Sequence, residues 1–117
     1  MSGKDKFNKP WGFFVNLHQE DGFIVKKIVV NPKHRLSLQK HFHRSEHWYV
    51  ISGNGELQLE EKKILLENGT CVDIPQNAWH RISNLGSIDL IFIEIQRGSS
   101  LKEEDIQRKE DDYGRAD

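Results

Sequence analysis

Turn residues cut the segment from about residue 12 to residue 96 into short runs rich in β-branched and aromatic side chains. That spacing predicts an all-β sandwich or barrel. The clearest expected strands are Phe23–Val30, Arg35–His41, His47–Ile51, Glu56–Leu59, Ile64–Leu66, Thr70–Ile74 and Ile88–Ile95. Asn31–Pro32 must break the chain, Ser52–Gly55 carries two glycines, and Asn68–Gly69 is a strong turn dipeptide, so these mark the corners. After Gln96 the composition turns charged. There Ser100 and Glu103 have the spacing of a capping box, which predicts a short helix or a tail that docks on the barrel.

With 117 residues the chain suits one folding unit, here a barrel over about 12–96 and a tail over 97–117. Lys and Arg (17) nearly balance Asp and Glu (18), for a formal charge of −1, which argues against a general positive field for nucleic acid. Cys71 is the single cysteine, so no intrachain disulfide forms, and it is expected to be a small buried residue. The N-terminus has no apolar stretch resembling a signal peptide, and no run of about 18 apolar residues occurs. A soluble, cytoplasmic chain is expected, with no membrane partner.

Chemistry concentrates in L-S-L-Q-K-H-F-H-R-S-E-H-W-Y-V-I-S-G, residues 36–53. Alternation along a strand points Gln39, His41 and His43 to one face. Imidazole and carboxylate are good ligands for first-row divalent metals. A reversal after His43 could return Glu46 as an anionic ligand, and closing a barrel would bring His80 opposite this group. His47 has the opposite phase to Glu46 and is expected to pack. His18 and His34 fall in turn-like contexts and are expected on the surface. Trp11 is expected to anchor the N-terminal arm.

These stretches resemble the cupin superfamily. Its second motif matches at every spacing with Gly69, Pro75, His80 and Asn84, and with Asn77 in place of a glycine, a mild change because Asn tolerates the left-handed backbone. In the first motif, Glu46 follows His43 too closely. Moving the frame back by two restores the spacing, makes Gln39 and His41 the paired ligands, and puts Lys33 where the leading glycine stands. The resemblance implies a double-stranded β-helix, or jelly-roll barrel, holding one divalent metal on Gln39, His41, Glu46 and His80. His43 would either replace Gln39 or lie just behind it.

The wider pattern, K-P-W-G-F-F, the 36–53 run, I-P-Q-N-A-W-H-R-I-S-N, I-E-I-Q-R-G-S and E-E-D-I-Q-R-K-E-D-D-Y-G-R, resembles the type II mannose-6-phosphate isomerase family over roughly Lys9 to Arg115. In that family the segment is the C-terminal cupin domain of a two-domain enzyme. The glycine-rich GTP-binding loop of the other half is missing here, so guanylyl transfer is not expected of this chain. The Gln-x-His pair is also similar to the zinc ligands of type I isomerases. Zinc is therefore the expected ion, with nickel, manganese, cobalt or iron as alternatives.

The resemblance implies interconversion of mannose 6-phosphate and fructose 6-phosphate through an enediol. His43 and Glu94 are the candidate bases. Arg97, Arg108 and Arg115 are candidates for the phosphate, and Trp48 for the sugar face or for filling the barrel. Two other readings stay open. One is a metal-containing cupin that binds a sugar or nucleotide sugar without turnover, and the other is a metal-dependent oxygenase. A homodimer is expected, on the ground that Leu36 and Leu38 would lie on the face away from the ligands and need cover.

Overall fold

A computed structural model describes residues 5–115. Eleven strands run through it: β1 (Lys6–Lys9), β2 (Gly12–Glu20), β3 (Phe23–Val30), β4 (Leu38–Lys40), β5 (Arg44–Ser52), β6 (Gly55–Leu59), β7 (Lys62–Leu66), β8 (Cys71–Ile74), β9 (His80–Asn84), β10 (Leu90–Gly98) and β11 (Gln107–Glu110). They form two antiparallel sheets, ordered β1-β2-β3-β10-β5-β8 and β11-β4-β9-β6-β7. Large apolar side chains fill the space between the sheets. Leu57, Leu66, Ile82, Leu90 and Phe92 are almost wholly buried, and each contributes about 1.5–3 kcal/mol relative to exposure.

Among the described residues there is no helix. The helix anticipated after Ser100 is replaced by a turn closed by Asp105 N to Lys102 O, followed by β11, which pairs with β4. The sheets thus reach beyond residues 12–96 on both sides, through β1 and β11.

The second strand reading also needs correction near its start. Arg35 makes an isolated bridge to Ser83, and only Leu38–Lys40 forms a regular strand. The interruption resets the alternation. Leu36 packs against the core and lines the interior cavity, while Leu38 is buried. Neither is left for a partner chain to cover. Cys71 is exposed, because β8 turns Val72 and Ile74 inward instead.

Left-handed backbone occurs where the motif frame requires it. Lys33 (φ 62°) and Asn77 (φ 65°) adopt this conformation at the two positions where glycine was displaced. Lys33 is held there by its ammonium on Leu85 O (2.8 Å). Gly53 (φ 95°) has no such freedom to change, since a Cβ there would stand 2.5 Å from Asp89 O. Asn84 is buried; its amide donates to Val30 O and Ile88 O, tying β9 to β3 and to the turn leading into β10.

Register sets the site. Inward rows cross the six-stranded sheet as Phe14–Ile28–Phe92–Val50, then Asn16–Lys26–Glu94–Trp48–Val72, then Ile24–Gln96–Glu46–Ile74. On the facing sheet Arg108, Gln39, His80 and Leu59 form one row. Polar side chains therefore gather at one end of the interior while the other end is apolar.

Candidate metal centre

Three buried side chains converge there. Ligand atoms of His41, Glu46 and His80 all lie within 4.8 Å of one another. Glu46 enters from β5, His80 from the start of β9, and His41 from the residue just past β4. His41 Nε2 is 3.3 Å from Glu46 Oε2, and His80 Nε2 is 4.0 Å from Glu46 Oε1.

Both imidazoles are fixed in the tautomer that ligation needs. His41 Nδ1 donates to Asp105 O (2.7 Å) and His80 Nδ1 donates to Ala78 O (3.0 Å). A carbonyl can only accept, so each Nδ1 carries the hydrogen and each Nε2 presents its lone pair. His80 Nε2 is buried with no hydrogen-bond partner among the described residues. Such an orphaned acceptor beside a carboxylate fits a cation. Burial lowers the His41 pKa to about 4, so its ring is neutral and able to coordinate at neutral pH.

Glu46 is held in its ionised form. Burial acts against this, but the Arg44 guanidinium, followed by His80, outweighs it and keeps the carboxyl well below the usual range. Arg44 Nε donates to Glu46 Oε2 (2.9 Å), Arg44 Nη2 donates to His41 Nε2 (3.1 Å), and Trp48 Nε1 donates to Glu46 Oε1 (3.0 Å). An ion seated here must share Glu46 with Arg44 and take His41 Nε2 from it. The donor set of two imidazoles and a carboxylate otherwise suits a divalent first-row metal.

Glu94 lies beside Glu46 and behaves oppositely. Burial, together with the neighbouring Glu46 charge, pushes its pKa up to about 8. Two buried carboxyls in contact cannot both ionise cheaply, so Glu94 keeps the proton of the pair. Gln96 Nε2 donates to Glu94 Oε1 (2.8 Å).

The other anticipated site residues divide between cavity and surface. Gln39 lines the cavity, where its Oε1 accepts from Ser37 Oγ (2.9 Å). Arg108 and Arg115 also line it, and Arg115 is gripped by Asp111. His43 does not reach the cavity. The backbone bends over residues 41–43, so its alternation with His41 is broken; it is exposed, and its backbone N–H is held by Asp105. Arg97 is exposed on the outer face of β10, beside Ser45 and His47.

Trp48 lines the cavity but is engaged with Glu46 and packs on Phe92, ring centres 4.7 Å apart. His47 points outward and pairs with Asp73 (2.7 Å), and Trp11 is buried. His18 is exposed, but His34 is half-buried and stacks on Tyr113. Arg44, Lys26 and Asp105 were missed from sequence. Arg44 was open to inference, since it shares the phase of Glu46 and Trp48 on one strand. Lys26 was ambiguous beside Lys27, and Asp105 carried no signal.

The family described as mannose-6-phosphate isomerase C-terminal matches residues 2–111. The alginate biosynthesis protein AlgA of Pseudomonas aeruginosa is 46% identical over 107 residues, covering 92% of this chain and 22% of the relative. The mannose-1-phosphate guanylyltransferase ManC of Salmonella typhimurium is 39% identical, covering 92% and 22%. This chain therefore spans less than a quarter of the length of these curated relatives. Among solved structures, a cupin-2 domain from Rhodospirillum rubrum superposes with a TM-score of 0.79 at 16% identity, covering 93% of this chain and 77% of that one, which shows the cupin fold. No helix among the described residues is long and apolar enough to cross a membrane.

Proposed function

The chain belongs to the mannose-6-phosphate isomerase C-terminal family, and on that premise we propose that it interconverts mannose 6-phosphate and fructose 6-phosphate through an enediol. The observation that carries this reading is the position of Glu94, a buried carboxyl in the same cavity as His41, Glu46 and His80.

His41, Glu46 and His80 would hold a divalent ion, with Gln39 a further donor lining the same cavity, and such an ion supplies Lewis acidity toward the sugar oxygens. Zinc is the ion we expect first. The proton is the chain's own task. In the forward direction Glu94, as carboxylate, takes the proton from C2 of the aldose and returns it to C1, while the hydroxyl proton at C2 passes to the oxygen at C1. No atom is gained or lost. A carboxyl whose pKa is raised to about 8 is a stronger base than an ordinary one and is partly ionised near neutrality, which suits both halves of the transfer. His43 lies outside the cavity and is not assigned a part. Trp48 orients Glu46, and Arg108 and Arg115 add positive charge to the cavity.

The test is a coupled assay for fructose 6-phosphate formed from mannose 6-phosphate, with purified protein loaded with zinc, cobalt, manganese or nickel and a chelated control. Metal-dependent turnover is expected. Stoichiometric metal without turnover for any ion would overturn the reaction and leave a sugar-binding module.

A further inference from the structure

Lys26 is an unusual occupant of the interior. It lies on β3 between Ile24 and Ile28, its side chain is 3% exposed, and it lines the cavity with His41, Arg44 and Glu94. A buried ammonium is costly unless other groups replace its water. Here Glu103 Oε2 lies 2.6 Å from Nζ, and the Phe14 ring lies 4.2 Å from it, a cation–π contact.

Glu103 comes from the turn between β10 and β11, and its side chain is 54% exposed. Burial acts to raise its pKa, yet the carboxyl is held below its ordinary value by Lys26 first, then by Arg44 and Lys9. Glu103 thus meets Lys26 directly and shares the lining of one cavity with three cations, Lys9, Lys26 and Arg44. This is the form of an anion seat filled from within.

We propose that Lys26, with Lys9 and Arg44, seats the phosphate of a sugar phosphomonoester, and that Glu103 is an internal placeholder which the phosphate displaces. The identity of the ester rests on the isomerase reading; the seat itself does not. A phosphate dianion brings more charge and more acceptor oxygens to three cations than one carboxylate does. Lys26 cannot retreat, because β3 is bonded to strands on both sides, whereas Glu103 sits on a solvent-facing turn. The reach also fits. Lys26 on β3 is the cross-strand neighbour of Glu94 on β10, and Glu46 on β5 stands two strand spacings across and one inward row along from Lys26, roughly 12 Å away. A sugar whose reacting carbons lie near Glu94 would extend its ester end toward Lys26.

Inorganic phosphate titrated calorimetrically into the metal-loaded full chain tests this without any turnover. Glu103→Gln should bind phosphate about tenfold more tightly than wild type, and Lys26→Met about tenfold or more weakly with unchanged metal content, the size expected for one charge-assisted contact. Lys26→Arg should retain binding. Unchanged affinity in folded Lys26→Met would overturn the seat, as would weaker binding in Glu103→Gln. If Lys26→Met does not fold, Glu103→Gln decides alone, and no gain there overturns the placeholder. Lys26-dependent phosphate binding without isomerisation would sink the reaction and keep the seat. Isomerisation with an unchanged KM in Lys26→Met would do the reverse.

Discussion

Backbone carbonyls, not carboxylates, prepare the two imidazoles of the cluster for ligation. Asp105 O and Ala78 O fix the tautomers, so the cluster depends on the path of the chain as much as on its side chains. Glu46→Ala and His80→Ala should each bring metal content, measured by elemental analysis after dialysis against equimolar ion, well below one per chain. Stoichiometric metal in both variants would refute the ligand set. Glu94→Gln separates ligation from chemistry. Metal content should hold while kcat falls about a hundredfold to ten-thousandfold, the usual worth of a positioned base. An unaltered kcat would remove Glu94 from the reaction. At this scale, strand alternation brought the 39–46 run to notice, and it was the resemblance to the cupin motifs that singled out His41, Glu46 and His80, with Gln39, as ligands. Arg44 and Asp105 were harder to find, since they act on the ligands from positions with no motif of their own.

At the scale of elements, the C-terminal segment is a strap across the cavity mouth held by acids. Asp105 accepts from the N–H groups of Phe42 and His43, Asp112 pairs with Arg35 and Glu103 pairs with Lys26, while Asp111 grips Arg115 within the segment itself. All four carboxyls have lowered pKa values in the folded chain. A group whose folded pKa is depressed adds stability above its unfolded pKa and loses it as pH falls through the folded value. Docking should therefore be complete above about pH 4–5 and weaken progressively below it. Hydrogen exchange corrected for intrinsic rates should show protection of residues 105–112 falling on acidification before that of β3 and β10. Uniform loss across all strands would contradict a separately docked strap. Sequence reading named β3 with its correct bounds because five of the eight residues of Phe23–Val30 are β-branched and a sixth is Phe23. It missed β11 because Q-R-K-E has no apolar alternation and is a strand only by pairing with β4.

Across the whole molecule, the outer face of the six-stranded sheet is the surface that asks for a partner. Val15, Ile93 and Tyr49 occupy one outward row with Lys27, and Val25, Ile95 and His47 the next, ending at Asp73. Tyr49, Ile51 and Ile95 are exposed there. Leu36 and Leu38, the first reason to expect a dimer, are covered within one chain, and the expectation of pairing passes to this face. A two-fold axis parallel to the strands, midway between β10 and β5, would lay β3 of one copy over β8 of the other. That operation keeps each row level, so it stacks Ile93 on Tyr49 and Ile95 on His47 of the other copy and sets Lys27 over Cys71, the self-matching of one patch that an isologous interface requires. Light scattering on the wild-type chain at micromolar concentration should give twice the chain mass. Ile95→Glu should give the single mass with metal content unchanged, because Ile95 faces away from the cavity. A wild-type monomer throughout that range would sink the two-fold and assign the face to a different partner.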